Sequence, residues 1–428
     1  MRLTIGNITI KDIRFGSHTA VNAGILTINQ EELISLLCEE SRIASAEIYL
    51  AKPGESIRIV PVKDVIEPRV KVEGPGSIFP GFIGSTETVG SGRTHVLKGA
   101  AVVTTGKIVG FQEGIIDMTG PGAAFTPFSQ TLNVVVKVEP VAGLSPHEHE
   151  NAVRMAGLKT AAYLGEAGRH VEADSEEAFE VASWTETAGK YPGLPKVAYV
   201  YMLQSQGLLH DTYVYGVDAK RILPTLISPT EIFDGAIISG NCVSACDKNT
   251  TYVHLNNPVI KELFARHGQD FNFTGIIITN ENVTLIDKER SSSYTAKLAG
   301  LLGIDGAIIT EEGFGNPDAD LVMNCRKLEK LGIKTVLLTD EYAGRDGGSQ
   351  SLADITPEAN AVVTAGNANE TIILPKLDTL IGNPEVIDVI AGGFAGSLRA
   401  DGSIEVEIQA LTGSTSEIGF INLSTKGY

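Results

Sequence analysis

In the early part of the chain, apolar residues alternate with polar ones. In the later part they run together. Residues 3–13 (LTIGNITIKDI), 56–65 (SIRIVPVKDV) and 132–141 (LNVVVKVEPV) repeat at every second position, the period of a strand with one buried face. Glycine clusters at 74–76 and 90–92 separate such runs, and a helix is expected near 31–41. Ser145-Pro146-His147-Glu148 supplies a serine cap, a proline in the first turn and a glutamate three residues on. That is a capping box, and it predicts a helix running towards Gly165 or Gly168. A second helix is expected near 175–184. From Lys196 onward, KVAYVYML, FTGIIITN, GAIIT and KTVLLTD are near-continuous apolar runs, and GAIIS leads into the turn before Cys242. Helical stretches are expected at 258–267 (capped by Asn257-Pro258), around 293–302 and around 317–331. Strands apolar on both faces, alternating with helices, predict a parallel sheet covered on both sides. The glycine-rich stretch from Ala391 reads as strand and loop.

The expected fold class is α/β: an N-terminal mainly β portion followed by a parallel, doubly wound α/β portion. Three segments are expected: a mainly β domain over 1–140, a helical and αβ segment over 141–241, and an α/β domain over 242–428.

With 428 residues, 43% of them hydrophobic, the chain can bury more than one core. Its net charge of −18 argues against a nucleic-acid partner, because a polyanion is repelled. Four cysteines, Cys38, Cys242, Cys246 and Cys325, do not make a disulfide scaffold and fit a reducing compartment. The start of the chain has no apolar signal segment, and no run of about eighteen apolar residues occurs. The expectation is a soluble, cytoplasmic protein. Cys38 and Cys325 sit at helical spacing with leucines and are expected in the core. His147 and His149, two apart on a helix, point to different faces. They are expected to be solvated residues at a helix start, and no metal is expected.

The stretch 235–254, GAIISGNCVSACDKNTTYVH, carries the candidate chemistry. Cys242 follows a buried-looking strand and Gly240, with Asn241 before it and Cys246 four residues on. Glycine tolerates a strained turn, and a thiol beside a strained peptide can attack the preceding carbonyl. Such an N→S shift between Asn241 and Cys242 would form a thioester. Loss of sulfur, tautomerisation and hydrolysis would then leave a pyruvoyl group in place of Cys242. Gly240, Asn249, Thr250 and Thr251 are candidates for holding the scissile carbonyl, and His254 for moving protons. By spacing alone, Cys242 reads sooner as an ordinary buried thiol, and the other residues as turn or surface groups. The C-x3-C pair lacks the second half of a zinc site. No complete dinucleotide fingerprint, P-loop, zincin or nucleophile-elbow motif is present.

Several segments carry a resemblance that spans residues 1–428. They are MRLTIGNITIKDIRFG, PVKDVIEPRVKVEGPGSIFPGFIG, TVGSGRTHVLKGAAVVTTGKIVGFQEGIIDMTGPGA and SGNCVSACDKNTTYVHLNNPVI. The chain resembles the component B proproteins of glycine and sarcosine reductase complexes. The resemblance implies cleavage at Asn241–Cys242, with Cys242 as both catalytic residue and pyruvoyl precursor. It also implies an oxidoreductase with a disulfide as acceptor. The partners implied are a selenoprotein subunit of component B, the small selenoprotein component A, the acetyl-phosphate-forming component C, and thioredoxin as reductant.

A ketone captures an amine as a Schiff base and withdraws electrons from its C–N bond. Glycine and sarcosine can condense in this way, and a quaternary betaine cannot. Arg93, Arg345 and helix N-termini are candidates for the substrate carboxylate. Alternative readings are a sarcosine or D-proline reductase component with the same processing, an N-terminal-nucleophile hydrolase using Cys242, a two-thiol racemase, and an uncleaved scaffold subunit.

Overall fold

The computed structural model describes residues 1–107, 113–207, 209, 211–240, 249–416 and 418. The N-terminal portion is built from short strands, as its period-two pattern requires. Arg2–Thr9 lies between Gly92–Lys98, which runs parallel to it, and Ser175–Glu180, which runs antiparallel. A second sheet orders Ile43–Ala51, Leu132–Pro140, Ala100–Gly106 and Asp64–Ile66. The helix Pro146–Glu166 packs across it, with Ala152, Ala156, Ala161 and Leu164 in the core. Ser145 starts this helix with both halves of its capping box formed. Small residues let the helix sit close. A Cβ on Gly165 would lie 2.1 Å from the Arg69 carbonyl oxygen.

Six strands form the largest sheet, in the order Thr225–Ile227, Asn272–Asn280, Lys196–Leu203, Gly306–Thr310, Lys334–Glu341 and Val362–Asn367. All neighbours are parallel except the first pair. Every residue of Asn272–Asn280 is buried, as expected for a strand with both faces covered. One face, with Ala198, Val200 and Met202, packs on Ala299, Leu321, Cys325 and Leu328 from the helices Leu285–Leu302 and Asn316–Lys330. Tyr199, Tyr201 and Leu203 point to the other face. They join Val253, Ile260 and Leu263 from the helices Thr251–Leu255 and Pro258–Arg266. The α/β class and the parallel sheet agree with the sequence pattern. Among the described residues, no helix is long and apolar enough to cross a membrane.

Four expectations need correction. No helix spans 175–184. Ser175–Glu180 is a strand on the edge of the N-terminal sheet, and a second capping box at Ser183 and Glu186 starts the helix Trp184–Lys190. The helix expected around 293–302 begins much earlier, at Leu285, because Thr284 caps it. Cys38 is exposed. The helix Gln30–Cys38 buries Leu33 and Leu37, and the thiol falls on its last turn, outside that stripe. His149 is buried, and its Nε2 has no hydrogen-bond partner among the described residues. Burial, followed by the nearby Lys63 and Lys107, lowers its pKa to about 4. Cys325 is buried as expected, with its sulfur 3.3 Å from the Thr335 hydroxyl.

Candidate active site

In open α/β sheets, ligands bind beyond the carboxyl ends of the strands. In this chain that edge carries polar residues in dense array. Lys196–Leu203 runs into Gln204 and Ser205, Asn272–Asn280 into Glu281, and Gly306–Thr310 into Glu311 and Glu312. Lys334–Glu341 brings Thr339 and Asp340. Glu281, Glu311, Glu312 and Asp340 are all buried.

Glu312 is the hub. One carboxylate oxygen accepts from the Gln204 backbone N–H at 2.7 Å and the Thr212 hydroxyl at 3.0 Å. The other accepts from the Asn249 N–H at 3.2 Å and lies 3.4 Å from His254 Nε2. His254 Nδ1 is 2.7 Å from the Tyr201 hydroxyl, which also accepts from the Asn249 side-chain amide at 3.4 Å. Burial raises the Glu312 pKa to about 7, against the pull of the N–H and O–H groups that donate to it. Glu281, which accepts from the Glu312 N–H at 2.7 Å, is pushed well above the usual carboxylate range by burial and then by Glu311. A carboxyl group titrating near neutrality in a dry site is suited to acid–base work.

The strands also decide where the thiol-bearing segment enters. A small antiparallel sheet pairs Thr212–Val214 with Ile237–Ser239 and delivers Gly240, whose N–H donates to the Asp211 carbonyl. On the far side, Asn249 meets Glu312 and Tyr201, and the Thr250 hydroxyl caps Thr251–Leu255. Asp64, from the N-terminal portion, holds both flanks. It accepts from the Thr251 N–H at 3.0 Å and from its hydroxyl at 2.6 Å, and that hydroxyl accepts from the Ser239 N–H at 3.0 Å. Asn241, Cys242 and Cys246 lie outside the described residues.

Of the residues singled out from sequence, the structure brings Gly240, Asn249, Thr250, Thr251 and His254 together. Arg93 and Arg345 are engaged elsewhere. Arg93 pairs with Glu176, while Arg345 pairs with Glu407 and stacks over Phe394. Sequence reasoning missed Glu312, Glu281, Tyr201 and Asp64. A signal existed for the two glutamates, since each closely follows a buried parallel strand (TNEN and ITEE). Asp64 carried no such signal. Among the described residues, no group of three or more His, Cys, Asp or Glu side chains is arranged to hold a metal ion.

The donor set fits a polar carbonyl group. Hydroxyls of Tyr201, Thr212 and Ser416, the Asn249 amide and His254 converge there. Glu281 Oε2 and the Thr415 hydroxyl beside Ser416 are buried with no hydrogen-bond partner among the described residues. Orphaned polar atoms of this kind call for a ligand or another part of the chain.

Comparison with known proteins shows the family. A family model described as glycine/sarcosine/betaine reductase component B subunits matches residues 1–426. The glycine reductase complex component B subunits alpha and beta of Acetoanaerobium sticklandii are 67% identical, with both chains covered in full. The sarcosine reductase complex component B subunit alpha of Peptoclostridium acidaminophilum is 56% identical, and the betaine reductase complex component B subunit alpha of that organism 40%, each again over both full chains. No solved structure matches. A match of this length places the chain in the family of glycine/sarcosine/betaine reductase component B subunits.

Proposed function

We propose that this component B chain is a proprotein of a glycine reductase complex, an oxidoreductase with a disulfide as acceptor. In this reading the chain is cleaved between Asn241 and Cys242, and Cys242 becomes a pyruvoyl group that captures the substrate amine. The observation that carries the proposal is the convergence of Gly240 and Asn249, the described ends flanking Cys242, on one buried site containing Glu312, His254 and Tyr201. Greater identity to the glycine-named relative than to the sarcosine- and betaine-named ones supports glycine as substrate. The relative named for betaine, a quaternary amine that cannot condense with a ketone, is the most distant of those three.

When present, the pyruvoyl ketone supplies an electrophile for an amine and an electron sink beside the C–N bond. The chain's own residues manage protons and charge. An amino acid arrives as an ammonium and must lose a proton before its nitrogen can attack. Glu312, titrating at about 7, is poised to take that proton at neutral pH. His254 links it to the Tyr201 hydroxyl, so a proton can pass from carboxylate to imidazole to phenol. The cleaving nucleophile comes from partners: a selenoprotein subunit of component B, with the carboxymethyl group passing to component A, acetyl phosphate leaving through component C, and thioredoxin as reductant.

Intact-mass analysis of protein from the active complex tests this reading. Two chains are expected, 1–241 and 242–428, the second blocked to Edman degradation and reactive to borohydride. Cys242→Ala is expected to stay whole and inactive. A readable N-terminal cysteine at 242 would support the hydrolase reading instead. A single intact chain retaining its thiol in working enzyme would leave only a scaffold role. Turnover of the complex with glycine, sarcosine and betaine in parallel decides the amine.

A further inference from the structure

The helix Thr251–Leu255 carries His254, yet it is only five residues long. A helix of that length does not hold itself in water, and its first N–H groups have no partner within the helix. Its place in the molecule is therefore set by what grips its first turn. The Thr250 hydroxyl accepts from the Val253 N–H at 3.3 Å. The Thr251 N–H reaches a carboxylate 187 residues away in sequence, donating to Asp64 Oδ1 at 3.0 Å.

The same carboxylate fixes the Thr251 side chain. Its second oxygen accepts from the Thr251 hydroxyl at 2.6 Å. With its one proton committed, that hydroxyl can otherwise only accept, and it does so from the Ser239 N–H at 3.0 Å. Asp64 is itself anchored on the N-terminal sheet. Its Oδ1 also accepts from the Val65 N–H at 2.8 Å, and its own N–H donates to the Thr104 hydroxyl at 3.0 Å. Asp64 and Thr251 are both buried, so these bonds are made in a dry interior, where leaving one unmade is costly. One turn beyond Thr251, His254 places Nδ1 2.7 Å from the Tyr201 hydroxyl and Nε2 3.4 Å from Glu312. The short helix thus links Asp64 to the carboxyl edge of the large sheet.

We propose that Asp64 is a positioning residue for the candidate active site. By gripping Thr251 through both carboxylate oxygens, it sets where the short helix lies and so holds His254 against Glu312 and Tyr201. Its importance for turnover rests on the proton role proposed for His254. Asparagine at position 64 cannot replace it. The amide has one accepting oxygen and a donating NH2, so whichever way it turns, one buried donor of Thr251 loses its acceptor.

Two measurements test this. In the full chain, isotope-labelled histidine ring nitrogens are followed by NMR, with His254 assigned by the signal lost in His254→Gln. Asp64→Asn and Thr251→Val are each expected to shift the His254 resonances. Thr251→Ser, the conservative variant that keeps the hydroxyl, is expected to return them to their wild-type positions. In the reconstituted complex, Asp64→Asn and Thr251→Val are expected to lower kcat by roughly tenfold or more, as a misplaced reacting group does. KM should stay nearly unchanged, and Thr251→Ser should rescue kcat. Unshifted His254 resonances in Thr251→Val would overturn the proposal, even where Asp64→Asn fails to fold. Equal losses of kcat in Thr251→Val and Thr251→Ser would overturn it too, since they mark a merely structural role. Full turnover in His254→Gln would instead defeat the proton role of His254, and the resonance shifts would then decide by themselves whether Asp64 positions it.

Discussion

At the residue scale, two buried titratable groups act on stability with opposite sign. Glu312 titrates at about 7 in the folded chain against 4.5 in its unperturbed state. The folded state therefore holds an extra proton between those values. Its contribution is fully present below pH 4.5 and is lost as pH rises through 7. The shift corresponds to about 3 kcal/mol. His149 behaves the other way. Its value of about 4 against 6.5 means that the unfolded state binds the extra proton. That contribution is present above pH 6.5 and is lost as pH falls towards 4. Urea unfolding from pH 4 to 8 separates the two. Glu312→Gln is expected to weaken the loss of stability with rising pH, by up to about 3 kcal/mol across the window. His149→Gln is expected to remove a loss of similar size on the acid side. Neither group was legible as such in the sequence. His149 looks like a solvated residue at a helix start, and only the packing of that helix against the Lys63 region buries it.

At the scale of elements, the helix Pro146–Glu166 shows which local signals survive folding. Its capping box was readable from four residues and is formed as read. Ser145→Ala is expected to cost about 1 kcal/mol, seen as a lower Tm. Gly165 gives the opposite lesson. By helix propensity alone, alanine there would help by up to about 1 kcal/mol. The Arg69 backbone leaves no room for a methyl group, so Gly165→Ala is expected to destabilise by about 1–3 kcal/mol through overpacking, measured by denaturant unfolding. The edge strand Ser175–Glu180 was misread as helix for a related reason. Its sequence SEEAFE is compatible with either period, and pairing with Arg2–Thr9, far away in sequence, decides the matter.

At the scale of the whole molecule, the strand order makes the two expected fragments inseparable in native form. Lys196–Leu203 from the first half sits between Asn272–Asn280 and Gly306–Thr310 from the second. Thr379–Gly382 returns to pair with Ile57–Val62. Asp64 reaches Thr251, Glu67 reaches Asn256 at 2.9 Å, and Thr212 reaches Glu312 across the same divide. Chains cut at Asn241–Cys242 are therefore expected to co-elute in native size-exclusion chromatography and native mass spectrometry and to separate only in denaturant. Residues 1–241 expressed alone lack both neighbours of their central strand and are expected to lose cooperative unfolding.

The sequence by itself determined the elements whose burial is locally encoded. Short runs rich in β-branched apolar residues, such as the isoleucines of Asn272–Asn280, favour inner strands, and Ser145 with Glu148 can satisfy a helix start without distant help. It also put the candidate chemistry on the cysteine-bearing segment. Only the tertiary structure decided what surrounds the two described ends of that segment, Gly240 and Asn249. Glu312, Tyr201 and Asp64 lie far apart along the chain, and the strand order of the sheet, with the packing of Asp64–Ile66 against Thr251–Leu255, brings them together. Their charge states follow from exclusion of water, a property of the assembled site that no single stretch of sequence carries.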